Sequence, residues 1–247
     1  MKSSFVTGIC FLTTLIAGCS GSSPASPPPA APSPSTPTAS PAAGSANQCP
    51  TPVYFGPAPT VTLASALRAG DIRLELQSSS KACYIAHEQL VGRKLPNQTV
   101  GSTRAVAGAI VLDGSNSVKA DQSKLVLTLT SFESDDGQRD GAVSRMFRTA
   151  PSAEFVVRQV SGLPSAFPNS GTVKFQLVGD MTIKGVTKPV TWDVDAQFDG
   201  GSVNGSATTA IKFSDFGMPT PKTALVLSVE DTLGLRIDFQ TKMTLGS

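Results

Sequence analysis

Residues 179–194 read "GDMTIKGVTKPVTWDV". Met181 and Ile183 stand two apart, and so do Val190, Trp192 and Val194 beyond a short segment that holds Gly185 and Pro189. Apolar side chains at every second position form one face of a strand, with the polar ones on the other. Two such rows around a glycine predict a β-hairpin with one buried face. Val186 is expected in its turn and Pro189 at the first residue of the returning strand, where a missing N–H is tolerated. Alternation alone leaves open whether the apolar face packs a filled core or lines a cavity.

The same period runs along the chain from residue 72. Leu125, Leu127 and Leu129 alternate with polar residues, interrupted only by Val126. Phe155 and Val157 oppose Glu154 and Arg158, and Val173, Phe175 and Leu177 lead into Met181. Ala196 and Phe198 continue the row of Val194. Val203, Ala207, Ile211 and Phe213 make another row, and Leu233, Leu235, Ile237 and Phe239 close the set. Asp199-Gly200-Gly201 marks a second hairpin, and "SVEDTLG" (228–234) predicts another tight connection. Helical period is confined to "RDGAVSRMFRT" (139–149), with Asp140 as the expected N-cap, and "TLASALRAG" (62–70), ended by Gly70. The reading is all-β, with about eight or more antiparallel strands and one or two short helices; strands of this number in up-and-down order can close into a barrel, which removes exposed edges. A barrel of that size stands between a filled interior and a ligand cavity.

Ahead of this region the composition changes twice. Lys2 precedes the apolar run "FVTGICFLTTLIA" (5–17), which is too short to span a bilayer and has the length and flanks of an export signal. It ends in "IAGCS", which resembles the lipobox of bacterial lipoproteins. That resemblance implies cleavage after residue 18 and acylation of Cys19, and two or three acyl chains anchor a protein stably. An ordinary secreted protein cut nearby is the alternative. Residues 19–48 are rich in Pro, Ala and Ser without a charge or an aromatic ring, so they are expected to be a disordered tether. The folded domain then spans 49–247. Cys49 and Cys83 fall inside it, and in an oxidising envelope a disulfide between them is expected, against the alternative of two free thiols.

Charge and motifs argue against several functions. The 20 Lys and Arg against 18 Asp and Glu leave a net charge of +2, with no basic stripe to bind nucleic acid. His87 is the only histidine, no G-x-S-x-G elbow occurs, and no cysteine pair has zinc spacing. No cofactor, metal or catalytic residue is expected. "SDDGQRDG" (134–141) lacks the spacing of a calcium loop and reads as a turn and helix cap. Tyr84, Ala86, Glu88 and Leu90 share one strand face. Glu88 is either a polar group that orients a ligand head group or a rim carboxylate paired with an arginine such as Arg139 or Arg145.

Four collinear stretches carry a resemblance. The hairpin at 179–194 is similar to the G-x-L/M-T-I-x-G-V-T-K/R-P-V pattern of the YceI-like lipid- and polyisoprenoid-binding family. "SFESDDGQRDGAVSRMFRTAPSAEFVVRQVSGLP" (131–164), "GSATTAIKFSDFGMPTP" (205–221) and "ACYIAHEQLVGRKLPNQTVGSTRAVAGAIVLD" (82–113) resemble its other segments, so the likeness covers about 71–243. The chain departs from simpler members in its lipobox, its tether and its two domain cysteines, and in the "PSAE" run before Phe155. The resemblance implies a lipocalin-like barrel with a long apolar pore that holds an isoprenoid, quinone-like or fatty-acyl chain. Its expected wall is Tyr84, Leu127, Leu129, Phe155, Val157, Phe175, Leu177, Met181, Ile183, Trp192, Val194 and Phe213. A filled barrel serving as a structural or interaction module is the alternative, and a homodimer stays open as an assembly state. The expected place is the bacterial envelope, with the domain facing the periplasm or the exterior.

Overall fold

The computed structural model describes residues 48–53, 58–61, 67–91, 97–221 and 226–247, which belong to one compact unit spanning 45–247. Cys19, the expected signal, nearly all of the expected tether and residues 62–66 of the second expected helix lie outside the described residues. Residues 67–70 of that helix are coil and turn.

Ten strand segments are described: β1 (Ile72–Leu76), β2 (Lys81–Leu90), β3 (Asn97–Thr103), β4 (Val106–Leu112), β5 (Lys124–Thr128), β6 (Ser152–Ser161), β7 (Ser170–Ile183), β8 (Val186–Asp199), β9 (Ser202–Lys212) and β10 (Val226–Leu245). They build eight antiparallel strands. β1 and β2 lie end to end along one edge of β10, which pairs with β1 through 241–245 and with β2 through 226–238. β3 and β4 lie end to end in the same way, facing β2 and β1. At the joint in the first strand, Gln77 N and Ser80 Oγ both donate to Gln240 O, at 2.8 and 3.1 Å. From there the order is sequential, β4-β5-β6-β7-β8-β9-β10, and β10 returns to β1. The result is a closed eight-stranded antiparallel barrel.

The period of two survives best in β8, where Val190, Trp192, Val194, Ala196 and Phe198 are buried and each residue between them is exposed. On the outer face, cross-strand ion pairs Arg158–Asp180 (2.8 Å) and Lys174–Asp195 (3.2 Å) take the polar positions. The opening hairpin is tighter than its composition implies. Ile183 pairs with Val186, so the loop is Lys184-Gly185 alone, with φ of 50° and 80°. Positive φ at both loop residues is the turn whose twist matches the flanking strands. Val186 therefore opens β8, and Pro189 is the fourth residue of the strand and not the first. It is tolerated because β9 pairs with β8 only from Asp193 onward, which leaves one edge of β8 without a ladder at that point.

Two further expectations are corrected. Residues 228–234 do not turn; they lie inside β10, which runs unbroken for 20 residues. The extra residues are taken up as register shifts against β2, between Val226 and Ser228 and between Val229 and Leu233. The helix α1 (Gly137–Phe147) starts ahead of the expected cap. Asp136 is its N-cap, its carboxylate accepting from Gln138 N and Arg139 N at 2.7 and 3.3 Å. Asp140 lies in the first turn and accepts from Ser134 N and Oγ.

Candidate functional site

The interior holds a cavity of about 370 Å³ at the α1 end. A second void of about 70 Å³ lies towards the other end. Along each strand the wall passes from one to the other: Met181 to Leu177 on β7, Trp192 to Val194 on β8, Ile211 to Ala207 on β9. Leu125 and Ile237 touch both.

Of the expected wall, Tyr84, Leu127, Leu129, Phe155, Met181, Ile183, Trp192 and Phe213 line the larger cavity. Phe175, Leu177 and Val194 line the smaller one. Val157 faces inward and is fully buried, but it lines neither; on β6 it stands between Phe155 and Val160, which line one each. A bulge after Val157, where β6 shifts register against β7, makes Val160 the next inward residue. Val126, which broke the alternation, is itself buried and in the wall. Sequence reading missed the contribution of α1, whose Ala142, Val143, Met146 and Phe147 cover one side of the cavity. Their spacing of three and four was the available signal.

Two aromatic rings of the wall rest on glycines of the neighbouring strand. A Cβ on Gly101 would lie 2.3 Å from Tyr84 Cε1, and one on Gly179 would lie 2.9 Å from the Phe155 ring. Tyr84 packs edge-on to Phe132 at 5.1 Å, and Phe155 meets Trp192 at 6.1 Å. Burial pushes the Tyr84 phenol up to about 12. Ser134 lies close enough to oppose that rise, yet Tyr84 Oη closes no hydrogen bond, and Trp192 Nε1 is likewise buried without one.

One end of this apolar space is polar. Glu88 is buried, 5% exposed, and its Oε1 accepts from Thr99 Oγ1 at 2.7 Å and from Arg139 Nη2 at 2.8 Å. Arg139 reaches in from the first turn of α1, and its Nη1 also meets Asp135 at 2.6 Å and Ser134 at 3.2 Å. Burial works against the guanidinium's charge, but Glu88 and Asp135 outweigh it and hold its pKa up. The backbone N–H groups of Gln138 and Arg139 hold the Asp136 carboxyl below its usual range. So Glu88 pairs with Arg139, as one of the two readings had it, but inside the cavity and not on a rim. Asp135, Asp136 and Asp140 each have a partner within the protein.

His87 is on the outside of β2, 46% exposed in its side chain, with Nδ1 3.9 Å from Glu230 Oε2. Among the described residues, no group of three or more His, Cys, Asp and Glu side chains could hold a metal. Cys49 and Cys83 form a disulfide, with Cα atoms 5.6 Å apart. Around it Cys49 N donates to Asp238 Oδ2 at 2.6 Å and Lys81 Nζ donates to Cys49 O at 2.9 Å, so the segment before the barrel is fixed to β2 and β10.

The sequence matches the model of the YceI-like domain over residues 77–241, more than half of the chain. The protein belongs to the YceI-like family. Among solved structures, a polyisoprenoid-binding domain from Saccharophagus degradans implicated in plant cell wall breakdown is similar with a TM-score of 0.52 at 11% identity, covering 72% of this chain and 100% of that one. BcnA of Burkholderia cenocepacia aligns with a TM-score of 0.48 at 20% identity, over 68% of this chain and 99% of its own. A Campylobacter jejuni YceI protein aligns with a TM-score of 0.39 at 16% identity, over 78% and 92%. At 11% identity the first of these likenesses is one of fold. No curated protein matches the sequence.

Proposed function

We propose that this YceI-like barrel binds or carries the apolar chain of a lipid, of isoprenoid, quinone-like or fatty-acyl type, in the cavity at the α1 end. The observation that carries the reading is a cavity of about 370 Å³ with a wall of aliphatic and aromatic side chains and a single polar end. Ligand sites are concave, mostly apolar and of some 300–1,000 Å³. Each buried methylene contributes about 0.8 kcal/mol, so a long chain is held without specific contacts. The family membership and the polyisoprenoid-binding neighbour support the same class of ligand. The size of the cavity favours this reading over a filled barrel.

The proposal includes the setting. Cys19 carries the acyl anchor, residues 19–48 are the tether, and the domain works in a bacterial envelope as a carrier and not as an enzyme. The decisive experiment is native mass spectrometry of the purified protein before and after delipidation and reloading. A retained or reloaded lipid in near-stoichiometric amount is expected; no uptake of any apolar chain overturns the reading. Labelling with radioactive palmitate tests the anchor, which is expected to disappear in Cys19→Ala.

A further inference from the structure

We propose that the cavity takes a lipid whose head group donates a hydrogen bond and carries no negative charge, with the second carboxylate oxygen of Glu88 as the acceptor, and that it turns away the phosphorylated form of the same chain. This rests on the lipid-binding reading above and specifies the head group.

Glu88 has one oxygen committed and one open. Oε1 already receives Thr99 Oγ1 and Arg139 Nη2, while among the described residues no donor meets Oε2. Its side chain is 6% exposed and is part of the cavity wall. A carboxylate oxygen on the wall of an apolar cavity is best matched by a donor from within that cavity. What fills the cavity is the natural source of that donor.

The surrounding charges set the sign of the head group. Arg139 faces two carboxylates, Glu88 and Asp135, and so has no positive charge left for a third anion. The N-terminus of α1 would ordinarily attract a phosphate. Here the Asp136 carboxylate already takes the N–H groups of Gln138 and Arg139. The other described cation of the wall, Arg236, is held by Asp238 at 2.6 Å. Every positive feature at the polar end therefore has its own anion, and a phosphate would meet like charge. A hydroxyl finds an unfilled acceptor in Glu88 and meets no like charge.

The test uses the delipidated protein and three probes with one chain: geranylgeraniol, its methyl ether and its monophosphate. Trp192, the only tryptophan in the chain, lies in the cavity wall and reports binding by its fluorescence. The alcohol is expected to bind roughly tenfold more tightly than the ether, the size of one hydrogen bond to a charged acceptor. The phosphate is expected to bind more weakly than the ether. In the double variant Glu88→Leu with Arg139→Leu, which removes the acceptor together with its partner, the alcohol is expected to lose its advantage over the ether. Equal binding of the three by the unaltered protein, or tightest binding of the phosphate, overturns the head-group proposal and leaves lipid binding in place. Binding of none of them overturns the lipid-binding reading and the proposal with it. The ranking by the unaltered protein decides even where the double variant does not fold.

Discussion

The Phe155 ring packs against Gly179, and the space it occupies is the space a side chain at 179 would need. A Cβ there would sit 2.3 Å from Val156 O and 2.9 Å from the ring. Gly179→Ala is expected to cost about 1–3 kcal/mol by overpacking, read as a lower urea midpoint. Tyr84 gives a pH signature. Its folded pKa is raised from 10.0 to about 12 because burial disfavours the phenolate. A raised pKa means that the stability is fully present below the unfolded value of 10.0 and is lost as pH rises towards 12. The expected loss is about 2 kcal/mol over that window. It should be visible as a fall in melting temperature that Tyr84→Phe removes. At this scale the sequence was legible where an apolar residue sat in a regular row. It was silent on which distant partner a residue meets: Arg139 and Arg145 both stood open for Glu88, and only the fold brings Arg139, 51 residues away, to 2.8 Å. Glycines beneath aromatic rings were equally hidden, because nothing in a one-dimensional pattern says which strand is the neighbour.

The opening hairpin and the N-terminal clip are the elements with most at stake. Gly185 sits at φ 80°, a backbone region that a branched side chain resists, so Gly185→Val should lose about 1–2 kcal/mol of stability in a denaturant titration. The Cys49–Cys83 disulfide closes a loop with a sequence separation of 34. Cys49→Ser with Cys83→Ser is expected to lower stability by roughly 3–4 kcal/mol, checked by the same titration with and without reductant on the parent protein. Elements with strict alternation, such as β8, could be read directly from the sequence. β10 could not, since Glu230, Asp231 and Thr232 look like a turn and only the pairing with β2 shows them to be a bulge. The start of α1 was misplaced for a related reason: Asp136 and Asp140 both satisfy the rule for a cap, and the choice falls to the one whose carboxylate reaches two backbone N–H groups.

For the molecule as a whole, a hollow interior predicts that loading stabilises. With free lipid at a hundred times its Kd, the barrel should gain about 2.7 kcal/mol, seen as a rise in melting temperature on reloading the delipidated protein. Ala153→Phe, which places a ring in the cavity wall, is expected to abolish that rise. The all-β class was legible from periodicity, which allowed closure into a barrel, and the resemblance to the YceI-like family made that closure the expectation. The hollow was not, since the same apolar residues describe a packed core equally well. Ring closure bears also on the order of events in the cell. β10 leaves the ribosome, and crosses any export channel, after every other strand of the barrel. Until it arrives, the preceding strands form at most an open sheet with its greasy side uncovered and both margins unpaired. The enclosed interior thus comes into being in a single late step, and a nascent chain halted before residue 226 has no closed apolar space.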